Sequence, residues 1–407
     1  REERNEVKVS RYVLKPSQNG DISGLGQPTP EQENLLRRTL GCVRLVYNKA
    51  LAVRTEAWYE RFERVGYSQT SSMLTEWKKE EELDFLNEVS CVPLQQSLRH
   101  LQTAFSNFFA GRAKYPNFKI KRNGGSAEFT KSAFKFKEGQ VYIAKCFEPL
   151  PIRWSRQLPT GCTPSTITVK LDPSGRWFVS LRIDDPTDHK LKPVNKKVGI
   201  DLGISSLFTT SDGVKVSNPK HYDKLYKKLR LAQKSLSRKT KGSRNRERAR
   251  VKVAKIQAKI ADCRRDHTHK LTTQLMSENQ TIVVEDLAVK NMVKNHKLAR
   301  AISDTNWGEL VRQLTYKAEW YGRELIKIDR WFPSSKRCSN CGYIVEKMPL
   351  NIREWDCPKC NSHHDRDINA SINILAAGLA VSVCGATIRP EESKSRKAGA
   401  KKQKPKS

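Results

Sequence analysis

Nowhere in the chain does an uninterrupted apolar run approach the roughly 18 residues that a membrane-spanning helix needs, and no amphipathic anchor opens it. A membrane partner is therefore not expected. The first residues, Arg1-Glu2-Glu3-Arg4-Asn5, lack an apolar signal core, so the expected compartment is the cytoplasm, where cysteines stay reduced. Apolar residues as a whole are sparse, 37% of 407 positions, below the usual globular share yet enough for real cores. Acids are scarce relative to bases: 43 Asp and Glu face 76 Lys and Arg, a formal charge of +33. That excess goes far beyond what solubility requires and calls for a polyanionic partner, nucleic acid first. Six of the ten cysteines (Cys42, Cys91, Cys146, Cys162, Cys263 and Cys384) lack metal-like spacing and are mostly expected as small buried residues.

What is present divides the chain into modules. Val7 to Leu14 alternates as a strand does, and Thr29-Pro30-Glu31-Gln32 forms a capping box with proline at the first helical position. Apolar residues then recur three and four apart at Leu36, Leu40, Val43, Tyr47 and Leu51, and again at Leu94, Leu98, Leu101, Phe105 and Phe108, so residues 29–123 are expected to be mostly helical. From about 126 to 184 the period shortens to an alternation. Strands are expected at Ala133–Phe136, Val141–Ile143, Thr166–Val169 and Trp177–Leu181, with turns at Glu138-Gly139 and Pro173-Ser174-Gly175. The first strand would complete this β module, and the helices would be an insertion into it. After the polar stretch Asp185–Lys197, a second domain begins with the buried strand Val198–Ile204. A hairpin turning at Asp212-Gly213 follows, then a basic helical hairpin over 220–276 that breaks near Lys241-Gly242-Ser243. Strand Thr281–Glu285, a helix over 303–323 and strand Leu325–Ile328 complete the order. Residues from Glu391 onward cannot build a core and are expected to be a disordered basic tail.

Two constellations carry chemistry. Cys338-Ser339-Asn340-Cys341 and Cys357-Pro358-Lys359-Cys360 are paired knuckles with the spacing of a four-thiolate zinc ribbon. Four thiolates leave no open coordination position, so one structural zinc is expected rather than a redox dithiol pair. His363 and His364 beside it are expected at the surface rather than as spare ligands. The second constellation is acidic: Asp201 in one apolar strand, Glu285 ending another, and Asp365 and Asp367 just after the ribbon. Ionised carboxylates in such strands need a neutralising partner. Three of them gathered on a sheet and a helix could hold two magnesium ions about 3.5–4 Å apart, the arrangement that hydrolyses phosphodiesters. On a helix Asp365 and Asp367 would point about 200° apart. Asp365 is therefore expected to cap the helix, and Asp367, on the face of Ala370 and Ser371, to reach the metal. Lys227, Lys228, Arg230, Lys234, Arg238, Lys239, Arg244, Arg246, Arg248 and Arg250 have almost no acids to balance them and are candidate phosphate ligands. Trp58, Tyr59, Phe62, Phe108 and Phe109 are expected in a core rather than as a base-stacking surface.

The motifs Gly199-Ile200-Asp201-Leu202-Gly203, Val283-Val284-Glu285-Asp286-Leu287, Phe332-Pro333-Ser334-Ser335-Lys336-Arg337-Cys338 and His364-Asp365-Arg366-Asp367-Ile368-Asn369-Ala370-Ser371 together resemble the RuvC-type nuclease domain of the TnpB family. Upstream, Thr39–Asn48, Leu94–Leu98 and Tyr115–Lys119 resemble its helical lobe, and the resemblance runs from about residue 7 to 377. It implies an α/β plus β architecture. A wedge-type β-barrel (1–28 and 124–192) would carry a helical recognition lobe (29–123), followed by an RNase H-like (RuvC) domain (193–336 and 362–385) with an inserted zinc ribbon (337–361) and a tail (386–407). It implies a bacterial or archaeal, transposable-element protein that acts with a guide RNA on double-stranded target DNA beside a short protein-read motif, as a monomer with its RNA. Asp201, Glu285 and Asp367 would be the catalytic magnesium ligands, and Cys338, Cys341, Cys357 and Cys360 the zinc ligands. Tyr67, Gln69, Thr70, Ser71 and Gln95 would touch bases, a placement that rests on the resemblance alone. The alternatives are a transposase that joins strands with the same acids and a non-cutting RNA-guided DNA-binding regulator. The intact acid set counts against the latter.

Overall fold

The computed structural model describes residues 9–13, 28–154, 158, 161–184, 188–349 and 351–383. Cys384 and the tail lie outside them. The chain divides into two compact units, one comprising residues up to 187 together with 227–259, the other 188–226 together with 260 onward.

The first unit starts with strand β1 (Val9–Val13) and the long helix α1 (Pro30–Arg61). The expected capping box opens this helix: Gln32 N donates to Thr29 Oγ1 (3.3 Å) and Thr29 N donates to Gln32 Oε1 (3.1 Å). Helices α2 (Tyr67–Trp77) and α3 (Cys91–Phe109) follow, with a 3-10 turn at Glu81–Asn87 between them. The stripes predicted from spacing meet in one core, where Leu36, Leu40, Val43, Tyr47 and Leu51 of α1 are buried with Leu94, Leu98, Leu101 and Phe105 of α3. The β module contains β2 (Gly125–Thr130), β3 (Phe134–Lys137), β4 (Gln140–Ile143), β5 (Thr166–Leu171) and β6 (Trp177–Asp184). β1 pairs antiparallel with β6 as expected, in a sheet ordered β1-β6-β5-β2 beside a separate β3-β4 hairpin. Strand β2 was not foreseen, because its alternating residues Ala127 and Phe129 are flanked by glycines and short polar residues. Both are buried against the Ile167 and Val169 positions that they pair. The pairings among the described residues give this open sheet and hairpin rather than a closed barrel.

The second unit is built on β7 (Lys197–Leu202), β8 (Ser206–Thr210) and β9 (Lys215–Ser217), an antiparallel meander. Helices α4 (His221–Ser237) and α5 (Arg244–Glu278) form the expected basic hairpin, whose residues 227–259 group with the first unit. Arg250 helps explain that grouping, since its guanidinium donates to the carbonyls of Arg122 (3.1 Å) and Pro173 (3.3 Å). Next come β10 (Thr281–Glu285), the short helices α6 (Val289–Met292) and α7 (Ala299–Thr305), α8 (Trp307–Tyr321) and β11 (Glu324–Ile328). A small ribbon with β12 (Glu354–Asp356) and β13 (His363–Asp365) precedes the last helix, α9 (Arg366–Val383). The main sheet runs β11-β10-β7-β8-β9, with β10 parallel to both β7 and β11. Side chains alternate across it. Val198, Ile200, Ile282 and Val284 pack with Leu275, Met276, Trp307, Leu310 and Leu314 on one face, while Val283 and Ile328 pack with Ile374 and Leu375 of α9 on the other.

Helix α9 lies unusually close to the strands. A Cβ at Gly199 would run into the Ser371 carbonyl and the Leu375 amide, and one at Gly378 into both methyls of Val283. Of the scattered cysteines among the described residues, only Cys42 is buried. Cys91 is exposed and Cys146, Cys162 and Cys263 are half-buried, so the expectation of buried residues fails where these positions fall on partly open helix faces and connections. Among the described residues no helix is long and apolar enough to cross a membrane.

Gly199→Ala is expected to lower stability by about 1–3 kcal/mol, because the obstructing atoms are backbone and cannot rotate away. Urea unfolding against the parent checks this, and an unchanged midpoint would show that α9 can shift freely.

Candidate acidic centre and zinc ribbon

Strand parity explains why the acids meet. Gly199 and Asp201 share one face of β7, Val283 and Glu285 share one face of β10, and Val283 pairs with Gly199 in register. Asp201 and Glu285 therefore stand one step beyond the paired residues Val284 and Ile200, on the face that α9 covers. Asp367 is the second residue of α9. Burial, reinforced by the nearby Glu285 and Asp367, pushes the Asp201 carboxyl up to about 7, offset in part by Arg366 and Arg353. Burial also raises Glu285, opposed by a hydrogen bond in which Ser334 Oγ donates to its Oε1 at 2.6 Å. Among the described residues no Lys or Arg forms an ion pair with Asp201 or Glu285, and the one cation on Asp367, Arg353, stands at 3.5 Å. Under-compensated carboxylates near one another are the type of donor that suits a hard cation such as magnesium.

Asp365 plays the other role. Its Oδ1 accepts from the amides of Asp367 (3.1 Å) and Ile368 (3.0 Å), capping α9, while Oδ2 pairs with Lys215 at 2.6 Å. These bonds hold its carboxyl below the usual range. The helix phase read from the sequence thus agrees with the structure, and Ala370 and Ser371 are fully buried beneath it.

The four ribbon cysteines converge, with all sulfurs within 4.8 Å of one another. Cys338 and Cys360 sulfurs are 3.7 Å apart and those of Cys341 and Cys357 are 3.6 Å apart. A tetrahedral zinc with arms of about 2.3 Å would set that edge near 3.8 Å, so the cluster fits the ion. His363 is exposed, as expected, but His364 is not. It is buried, its ring lies 4.9 Å from that of Trp355, and its Nε2 is 3.0 Å from Cys338 Sγ. Once Cys338 is a thiolate, the imidazole must be the donor. Alternation along β13, which turns His363 out and His364 in, was the signal that could have found it.

The nucleic-acid candidates fare unevenly. Lys227, Lys228, Arg230, Lys234, Arg238, Lys239, Arg244 and Arg248 are all exposed. Arg246 instead donates to the carbonyls of Leu236 (3.2 Å) and Lys239 (2.7 Å), closing the hairpin, and Arg250 is held by Glu247 as well as by the two carbonyls above. Gln95 is exposed and Tyr67 and Ser71 are half-buried, but Gln69 Oε1 caps α2 at Gly66 N (2.7 Å). Thr70 is buried with its hydroxyl on the Gly66 and Tyr67 carbonyls, which removes it from base reading. The aromatic residues reverse the expectation: Tyr59, Phe62 and Phe109 are 71%, 80% and 74% exposed and Trp58 is also exposed, with Phe108 half-buried. They fall near the ends of α1 and α3, where the helices leave their shared core.

Known proteins resemble this chain along most of its length. A family model described as "Probable transposase" matches residues 179–314, one described as "Cas12f1-like, TNB domain" matches 307–374, and one described as "Helix-turn-helix domain" matches 27–62. In this structure the last region is essentially one continuous helix. The chain is 59% identical to a Streptomyces pristinaespiralis protein named "Putative RNA-guided DNA endonuclease", covering 91% of this chain and 92% of that one. It is 32% identical to the Escherichia coli protein named "Putative RNA-guided DNA endonuclease InsQ", covering 89% and 93%. Among solved structures, a Cas12f1–sgRNA–target DNA complex shares the fold at a TM-score of 0.53 and 15% identity, over 85% of this chain and 82% of that one.

Two outcomes follow. Elemental analysis should find one zinc per chain, and Cys357→Ser should lose it together with local order around the ribbon. Retention of zinc by that variant would refute the assignment. In zinc-loaded protein without magnesium, Asp201→Asn should raise the melting temperature by a few degrees near pH 8. Ionising Asp201 opposes folding above its unfolded value, with a cost that grows up to about pH 7, so the gain should fade towards about pH 4. A melting temperature equal to the parent's across that range would show that the carboxylate is not strained.

Proposed function

This chain belongs to the TnpB family, and from that premise we propose that it is an RNA-guided endonuclease hydrolysing phosphodiester bonds of double-stranded target DNA with magnesium held by Asp201, Glu285 and Asp367. The observation that carries the reading is the placement of Asp201 and Glu285 at the same level of two adjacent strands near the start of α9, with burial and the nearby Glu285 and Asp367 pushing Asp201 up to about 7. Magnesium, when bound there, supplies an activated water and charge at the leaving oxygen. The protein's own residues do the rest by fixing positions. Two adjacent parallel strands hold Asp201 and Glu285, the capped first turn of α9 holds Asp367, and Ser334 orients Glu285. A meander extended by two parallel strands, with acids on its first and fourth strands and on the closing helix, supports the RNase H-like (RuvC) reading of the second unit. In the first unit, the β module carrying a helical insertion supports the wedge-and-recognition-lobe reading.

Nucleic-acid contacts extend from the same reading. The exposed bases Lys227, Lys228, Arg230, Lys234, Arg238, Arg244 and Arg248 bind backbone phosphates of the guide RNA or the guide–target duplex, giving affinity without sequence. Tyr67, Gln95 and Ser71 remain candidates for base edges, and the exposed aromatics near the ends of α1 and α3 suit base stacking.

The test is cleavage of double-stranded DNA by the protein with its guide RNA and magnesium. Asp201→Ala and Asp367→Ala should each lose on the order of a thousandfold or more in rate while keeping bound RNA. Asp365→Ala should only slow the reaction and cost about 1 kcal/mol of stability through the lost cap. A dead but folded Asp365→Ala beside an active Asp367→Ala would reverse the assignment, and joined rather than cut products would favour a transposase.

A further inference from the structure

We propose that Ser334, at the entry to the zinc ribbon, is a positioning residue that sets the metal-binding geometry of Glu285 and ties it to the helix carrying Asp367. The inference rests on Glu285 being a metal ligand. Glu285 ends its strand on a side chain with two methylene groups, so the backbone alone does not fix where its carboxylate points. The hydrogen bond that fixes it is the one from Ser334 Oγ to Oε1, at 2.6 Å, the length of a strong bond to an ionised acceptor. It occupies one oxygen and leaves Oε2 for a cation.

Ser334 is itself held. It is buried, and it lies in a tight turn in which its amide donates to the Phe332 carbonyl (2.8 Å) and the Arg337 amide donates to Pro333 (3.0 Å). Two buried asparagines one turn apart on α9 grip this segment. Asn373 Nδ2 donates to the carbonyls of Ser334 (2.9 Å) and Arg337 (2.6 Å). Asn369 Nδ2 donates to Arg337 (2.8 Å), while its Oδ1 accepts from the amide of Ser339, the residue after the first zinc cysteine (2.9 Å). Asn369 follows Asp367 by two residues on the same helix. One chain of hydrogen bonds therefore runs from the first zinc knuckle, through α9, to the carboxylate of Glu285. Partners of metal ligands at this remove typically contribute 10–100-fold to metal affinity.

The experiment compares Ser334→Ala, Ser334→Thr and Glu285→Gln. Manganese binding to the full-length, zinc-loaded chain freed of nucleic acid is followed by electron paramagnetic resonance, and the magnesium dependence of cleavage by the RNA complex is measured alongside. Ser334→Ala should keep its zinc and melting temperature, bind manganese about 10–100-fold more weakly, and need correspondingly more magnesium, with the maximal rate largely recovered at saturation. Ser334→Thr, which keeps the hydroxyl, should stay within about threefold of the parent on the same scale. A folded Ser334→Ala with parental manganese affinity overturns the proposal, as does a folded Ser334→Thr as weak as the alanine variant. Failure of Ser334→Ala to fold while Ser334→Thr folds would give the hydroxyl a purely structural role and equally overturn it. Parental manganese binding by Glu285→Gln would instead overturn the assignment of Glu285 as a ligand.

Discussion

Everything at the acidic centre depends on how closely α9 can lie against β7 and β10. A helix normally stands off a sheet by the thickness of two side-chain layers, and at that distance a short aspartate on the helix would not reach acids on the strands. Here glycine on the strand meets the helix backbone, and glycine on the helix meets a valine of the strand, so two contacts remove one layer each. Asp201 is thereby desolvated near Glu285 and Asp367, and burial together with these two acids raises the cost of ionising it.

The ribbon belongs to the same construction. It is inserted immediately before α9, so the thiolates of the ribbon and the acids of the sheet approach one helix from two directions. His364 lies against Cys338, Asp365 caps the helix and binds Lys215, and Asp367 stands near enough to raise Asp201, so one short stretch touches the cysteine cluster, the helix end and the acidic centre. A zinc held by the four cysteines would do more than stabilise a small module with little core of its own, because it would help to fix where the first turn of α9 begins.

Much of this was legible in the sequence because the signals were local. The capping box at Thr29, the two-residue turn at Glu138-Gly139, the paired CxxC knuckles and the opposed phases of Asp365 and Asp367 each depend on a few neighbouring residues. What escaped reading depends on partners distant in the chain. Strand β2 is recognisable only when Ala127 and Phe129 meet β5. His364 looks like any exposed histidine until alternation along β13 sets it beside Cys338. Arg246 and Arg250 look like their free neighbours in a basic run, and only the folded hairpin aims them at carbonyls instead of solvent.

The aromatic residues near the ends of α1 and α3 show the same limit from the opposite side. Helical periodicity marks which residues share a face, but not where the partner that covers the face stops. Leu36 to Leu51 and Leu94 to Phe105 have each other to pack against; Tyr59, Phe62 and Phe109, in the last turn of each helix or just past it, lie beyond that shared core and stay mostly exposed, Phe109 touching the rings of Phe105 and Phe108. Single exposed apolar residues are ordinary, but several large rings clustered near helix ends on so basic a chain are not. Net charge could say that a polyanion binds; it could not say where bases rather than phosphates would be met. That information lies in where the core ends.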